Sequence, residues 1–156
     1  MEKKSDIPEQ FEAVYEGSPW YGKSICKVLE GIDPAMAFRR LPGHVHTIAE
    51  LLAHMISWKQ VLVNRLEKNG KPRPRQKDTY LTAGYGSAPE AAWRNLKQTL
   101  DDQHRRLMVL LGTAIGAENS KLPWKMTRGV LQHDVYHLGQ IALLKKAIRL
   151  SQYYFF

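Results

Sequence analysis

The chain is 156 residues long, 44% hydrophobic and 24% charged, with a formal net charge of +8. These values are typical of one compact domain, which we expect to span residues 1–156. The sequence also excludes a membrane-spanning protein, because no stretch approaches the ~18 consecutive apolar residues that a transmembrane helix needs.

The N-terminal part of the chain predicts a cytoplasmic protein that begins with a short helix. The first ten residues, MEKKSDIPEQ, carry charge but no apolar segment of the kind found in signal peptides. The single cysteine, Cys26, has no partner for an internal disulfide, which suits a reducing compartment. We interpret it as a small buried hydrophobic residue and not as a nucleophile. The stretch IPEQFEAVYEG, residues 7–17, predicts the short helix.

A first long helix is predicted from residue 18 to about residue 31. Ser18 is a suitable N-cap, and Pro19 suits the first helical position, where a missing N–H is tolerated. Apolar residues at helical spacing mark its buried side: Ile25, Val28, Leu29 and Ile32.

A second long helix is predicted after Thr47. Thr47 and Glu50 have the spacing of a capping box, in which each side chain accepts a hydrogen bond from the other's backbone N–H. We expect this helix to end near Lys68, before Asn69 and Gly70.

Two further long helices follow. Ser87 and Glu90 again have the spacing of a capping box, and they predict a third helix that reaches about Leu111, with Gly112 after it. The fourth helix is predicted to begin near Thr127 and to run past Leu150.

The segment at residues 65–77 contains the densest basic cluster of the chain. Glycine and proline interrupt it, and no aromatic residues are interleaved for base stacking, so we expect no nucleic-acid partner. A solvated surface loop is one interpretation, and attraction of an anionic substrate is the other. The basic residues are Arg65, Lys68, Lys71, Arg73, Arg75 and Lys77.

These elements predict an all-α fold, a four-helix bundle, since no stretch shows the strict alternation of a strand. The connection at residues 69–86 is long enough, at ~55–60 Å when extended, to return along a helix of ~33 Å. It could therefore be a crossover that makes the second and third helices parallel. The alternative is an excursion over the surface.

Two histidines in the sequence QHDVYHLGQI indicate a metal site. His133 and His137 are four residues apart and share one face of the predicted fourth helix, within an otherwise apolar stripe. Two imidazoles at this spacing can bind one divalent ion. The alternative is a pair of core histidines whose nitrogen atoms are satisfied by hydrogen bonds.

A bundle site needs a further ligand from a facing helix, and two histidines compete for this role. His54 lies among Leu51, Trp58 and Val61 on the second helix. His104 lies on an apolar face of the third helix, and helical periodicity leaves both candidates open. His46 and His54 would be ~12 Å apart along a helix axis, so they cannot share one ion.

The sequence resembles the DinB/YfiT-like family of small bacterial metalloproteins. The resemblance rests on the segments SPWYGKSICKVLEGI, HTIAELLAHMISWK, AAWRNL and LQHDVYHLGQIALLKK, which occur in the family's order from about residue 20 to residue 146. It implies a bundle in up-down-down-up order. It also implies metal binding by His54, His133 and His137, which removes His104 from the set.

The resemblance implies a function as well as a fold. Relatives include transferases that use a low-molecular-weight thiol, a thiol-dependent isomerase and proteins labelled as hydrolases. We therefore expect a divalent metal ion, zinc or nickel, that activates a thiol or water for reaction with a small-molecule substrate. Gln140 would orient the substrate or a ligand ring, or else pack as an ordinary helix amide. Asp134 would fix a ring tautomer, or else be a solvated residue.

Three aromatic features complete the expectations. Trp20 and Trp58 would either form the walls of a pocket or belong to the core. The C-terminal aromatic residues 153–156 would pack on the domain or form a homodimer contact.

The competing class of function is a non-catalytic metal-binding or protein-interaction bundle.

Overall fold

A computed structural model describes residues 6–43, 46–68, 75–86, 88–116 and 122–151. Within these residues the chain forms α-helices and short 3-10 helices and no strand, which confirms the all-α prediction. None of the helices described is both long enough and apolar enough to cross a membrane. The α-helices are α1 (Ile7–Tyr15), α2 (Ile25–Leu29), α3 (Pro34–Phe38), α4 (Ile48–Leu66), α5 (Pro89–Gly116) and α6 (Trp124–Ser151).

The short N-terminal helix is confirmed as α1, but the predicted first long helix is wrong. Pro19 begins a turn, which the N–H of Gly22 closes by donating to the Pro19 carbonyl at 3.2 Å. Gly22 has a φ of +145°, a conformation that favours glycine and cannot continue a helix. The helix starts only after Ser24, as α2, and it ends before Gly31, which has a φ of +66°.

A third short helix, α3, was not predicted. The Asp33 side chain accepts a hydrogen bond from the Met36 N–H at 2.7 Å, and Pro34 occupies the first helical position. Residues 7–38 therefore contain three short helices, whereas the sequence predicted one short helix and one long helix that ends near residue 31.

Helix α4 begins as its capping box predicts. The Glu50 N–H donates to Thr47 Oγ1 at 3.2 Å, and the Thr47 N–H donates to Glu50 Oε2 at 2.8 Å. Its end at Leu66 agrees with the predicted end near Lys68, while Asn69 and Gly70 lie outside the residues described.

Helix α5 extends beyond its predicted end, passing through Gly112 to Gly116. A glycine inside a helix costs only about 1 kcal/mol, and the fully buried Leu107 and Leu111 anchor the preceding turns. The predicted cap at Ser87 lies outside the described residues. Helix α6 begins at Trp124, three residues before the predicted start, because the Thr127 N–H already donates to the Pro123 carbonyl at 2.9 Å.

Helix α4 is the central element, packing against both α5 and α6. The connection after α4 also contacts it, through a 3-10 helix at Gln76–Tyr80 in which Thr79 is only 2% exposed. Thr79 therefore anchors this part of the connection to α4. The arrangement turns the His54 face of α4 towards the middle of α6.

Candidate metal centre

Three imidazoles meet where α4 faces α6. His54 comes from α4, while His133 and His137 come from adjacent turns of α6. One nitrogen atom of each ring lies within 4.8 Å of the corresponding atoms of the other two. His54 and His137 are buried and His133 is half-buried. The i, i+4 spacing brings the α6 pair together, and helix packing supplies the third ring.

Hydrogen bonds on the outer side of two rings turn their Nε2 atoms inward. His137 Nδ1 lies 2.6 Å from Gln140 Oε1, and because an amide oxygen can only accept, Nδ1 must carry the proton. The lone pair of His137 is therefore on Nε2. His54 Nδ1 lies 2.5 Å from Thr79 Oγ1, which leaves its Nε2 free to face the cluster.

The inner nitrogen atoms of the cluster fit a shared cation. His54 Nε2 and His133 Nε2 are 2.9 Å apart, so two lone pairs would repel each other unless a proton or a cation lies between them. A set of three imidazole nitrogens suits zinc, nickel or copper better than magnesium or calcium, which prefer oxygen ligands. His133 Nδ1 is buried and has no hydrogen-bond partner among the residues described. The cluster could hold a divalent ion.

The three rings are neutral at pH 7, which is the form that binds metal. Burial, reinforced by His137 and His46, lowers the pKa of His54 to about 4. Burial, His137, His54 and Lys59 together lower the pKa of His133 to about 3. Burial also lowers the pKa of His137, although the hydrogen bond with Gln140 opposes this shift.

A cavity of about 390 Å³ adjoins the cluster. Tyr80 forms part of its wall, with its ring stacked between His54 at 4.0 Å and His46 at 3.9 Å. Of the two interpretations of Trp58, the structure supports the pocket wall. Trp20 is 96% exposed and does not line the cavity, so both interpretations of Trp20 are wrong. The lining consists of His46, Leu51, His54, Trp58, Tyr80, His133, Tyr136, His137 and Gln140.

His104 lies apart from the cluster, so the structure separates the two histidines that periodicity left open. His104 is buried, with Nε2 3.0 Å from Glu12 Oε2 and its ring stacked on Tyr15 at 3.8 Å. Cys26 is partly buried and contributes nothing to the cavity lining described. Burial and the nearby Glu16 raise its pKa, which disfavours the thiolate, in agreement with the prediction that it is not a nucleophile.

Asp134 has neither of the two roles predicted for it. It is fully buried, and Oδ2 accepts a hydrogen bond from Lys59 Nζ at 2.6 Å, so it is neither solvated nor bonded to a histidine ring. Sequence reasoning also missed Thr79 and Tyr80, because a loop has no periodicity that shows which side chains point inward. The sequence did contain a signal for Lys59. Its position on α4 is at helical spacing from buried apolar residues, which indicates that the side chain points into the core.

The comparison with protein families agrees with the site. The family model described as DinB superfamily matches residues 25–141, which is well over half of the chain and includes all three histidines. Neither a curated protein nor a solved structure matches the chain. The chain therefore belongs to the DinB superfamily.

Proposed function

We propose that this protein is a metal-dependent enzyme in which His54, His133 and His137 hold a divalent ion, zinc or nickel. When bound, such an ion acts as a Lewis acid that favours the deprotonated form of a thiol or of water. The reaction would be transfer of a low-molecular-weight thiol to a small-molecule substrate, or hydrolysis.

The observation that carries this proposal is the inward orientation of the imidazole Nε2 atoms. The His54 and His133 atoms are 2.9 Å apart, and Gln140 directs the lone pair of His137 to the same side. Three protein ligands, as opposed to four, are typical of catalytic zinc sites, which keep a position for substrate. The adjoining cavity provides space for that substrate.

The cavity supports thiol transfer over simple hydrolysis. Its lining, as far as the chain is described, contains no carboxylate that could act as a general base for water. A substrate that supplies its own nucleophile, such as a thiol, does not need that group. Tyr80 stacks on the His54 ring and Trp58 meets it edge-on, while Gln140 orients His137.

The proposal includes the up-down-down-up order of a four-helix bundle, with short helices in place of a continuous first helix. Two contacts support a parallel arrangement of α4 and α5. Arg106, in the second half of α5, pairs with Glu67 at the end of α4 at 2.6 Å. Trp93, near the start of α5, donates at 2.9 Å to the carbonyl of Ile32, just before α3, and α3 packs on both α4 and α5.

A structural role for the ion is the second candidate function. The three histidines come from α4 and α6, so a bound ion would crosslink two helices of the core. This interpretation predicts a folded protein only when the ion is bound, and it requires no substrate.

The two functions can be separated with purified protein. We expect elemental analysis to find about one divalent ion per chain, and chelation to remove it without unfolding the protein. The metal-loaded protein would then be screened with several thiols and model electrophiles, with the metal-free protein as a control. Unfolding on chelation would support the structural role, and a protein that takes up neither zinc nor nickel would contradict both.

A further inference from the structure

The 3-10 helix Gln76–Tyr80 forms the outer layer of the candidate metal centre. Thr79 is 2% exposed, and Thr79 Oγ1 lies 2.5 Å from Nδ1 of His54. The Ser57 hydroxyl, one turn further along α4, donates to the Ala53 carbonyl at 3.0 Å and also lies 3.4 Å from the Thr79 carbonyl. Tyr80 covers the face of the His54 ring, with an interplanar angle of 3°. A segment outside α4, 25 residues along the chain from His54 at Thr79, therefore fixes both the plane and the outer nitrogen of His54.

The direction of the hydrogen bond between Thr79 and His54 depends on what occupies the inner side of the ring. A hydroxyl can donate or accept, so it can satisfy either tautomer of His54. If His54 binds an ion through Nε2, its proton must be on Nδ1, and Thr79 Oγ1 must then accept. An acceptor at this position holds the ring orientation and raises the basicity of the ligand nitrogen.

We propose that Thr79 is a positioning residue of the metal centre, so that metal binding and the docking of Gln76–Tyr80 against α4 stabilise each other. The inference rests on the metal-binding part of the proposed function. It follows from linkage, since a group that improves metal binding must itself be held more tightly when the metal is bound.

The coupling extends to the substrate cavity. Tyr80 belongs to the same 3-10 helix and lines the cavity beside His46 and His54. Metal binding would therefore hold one wall of the cavity in place as well as supply the reactive centre. The connection between α4 and α5 becomes part of the site.

Zinc affinity provides the first test. Thr79→Val keeps the shape of the side chain but removes the acceptor, and we expect it to weaken zinc binding about 10- to 100-fold. Thr79→Ser keeps the hydroxyl, and its affinity should stay within a few-fold of the wild type. Affinity would be measured by competition with a chromophoric chelator at constant pH.

Thr127→Val is the matched control, because Thr127 is also a buried threonine, but its hydroxyl donates to the carbonyl of Pro123, just before α6. It should leave zinc affinity unchanged. Equal affinities of wild type and Thr79→Val would overturn the inference alone, as would a loss in Thr79→Ser as large as that in Thr79→Val. A wild type that binds neither zinc nor nickel would instead refute the proposed function together with the inference, and a wild type that binds only nickel would be compared with its variants in nickel.

Two readouts separate positioning from simple stabilisation of the fold. In zinc-loaded wild type, the Nδ1–H proton of His54 should exchange slowly enough to be observed by NMR, and Thr79→Val should lose that signal. Zinc should also slow amide exchange at residues 76–80, and it should do so less in Thr79→Val. Amide exchange in this segment that is insensitive to zinc in the wild type would contradict the coupling.

Discussion

Lys59 and Asp134 form a fully buried ion pair that joins α4 to α6. Lys59 Nζ lies 2.6 Å from Asp134 Oδ2, and each side chain is 1% exposed. The pair is close enough to the candidate metal centre to act on its histidines. In addition to burial, Lys59 contributes to the lowered pKa of His133, and Asp134 opposes the lowering of the pKa of His137 by burial. The charges of the pair link the same two helices that carry the three histidines.

Removal of one partner from this pair should destabilise the protein strongly. In Lys59→Met the Asp134 carboxylate is left buried without its cation, and we expect a loss of about 3–5 kcal/mol in the free energy of unfolding. The double variant Lys59→Met with Asp134→Leu should recover most of that loss. Urea unfolding of metal-free protein measures both values.

The exposed pair of Lys27 and Glu30 provides the control for that experiment. Their side chains are 62% and 64% exposed, so Lys27→Met should change the stability by no more than about 1 kcal/mol. A Lys59→Met variant as stable as Lys27→Met would show that the buried pair contributes little.

Each of the three clustered histidines should be required for metal-dependent stabilisation. At a free zinc concentration 100-fold above the dissociation constant, the wild type should gain about 2.7 kcal/mol. His54→Ala, His133→Ala and His137→Ala should remain folded and show little of this gain, because the core does not depend on those rings. Thermal unfolding with and without zinc measures the effect.

His104→Gln is the control for the histidine variants, since His104 bonds to Glu12 and lies outside the cluster. It should keep the full gain from zinc. If its gain were lost along with that of His54→Ala, the assignment of the cluster would be wrong.

Gln140 should tune the metal affinity through His137. Gln140→Leu removes the acceptor for His137 Nδ1–H, and we expect zinc binding to weaken about 10- to 100-fold. Gln140→Glu restores an acceptor and should bind zinc at least as tightly as the wild type. The exposed Gln98, which donates to Asp102 on α5, offers Gln98→Leu as a control that should have no effect. Equal affinities of Gln140→Leu and Gln98→Leu would contradict the role of Gln140.

His104 should make the metal-free protein less stable in acid. Burial, with a contribution from Lys59, lowers the pKa of folded His104 to about 4, whereas an unfolded histidine has a pKa of about 6.5. Between these values the unfolded chain binds the additional proton, so stability falls as the pH decreases from about 6.5 to 4. The slope for one such group is at most about 1.4 kcal/mol per pH unit.

The contribution of His104 can be isolated with His104→Phe, which keeps a ring to stack on Tyr15. As the pH falls through this range, the wild type should become progressively less stable relative to the variant in its free energy of unfolding. The shift should level off below pH 4. Chelator-treated samples avoid a contribution from bound metal, and parallel stability curves would contradict the assigned pKa.

The sequence predicted those features that depend on residues close together along the chain. The capping box of Thr47 and Glu50 is satisfied within one turn, so its residues alone specify where α4 begins. The shared face of His133 and His137 follows from helical geometry in the same way. The prediction of a first long helix is wrong because Ser18 and Pro19, which suit a helix start, instead lead into the turn that Pro19 and Gly22 form.

Only the tertiary structure decided which distant groups meet. His54 and His104 both lie on apolar faces, and the packing of α4 against α6 brings only His54 to the α6 pair. The same packing pairs Lys59 with Asp134, and the folding of the loop against α4 places Thr79 beside His54. Helical periodicity specifies the direction of a side chain from its own axis, whereas the contacts of the site depend on how separate axes and loops pack together.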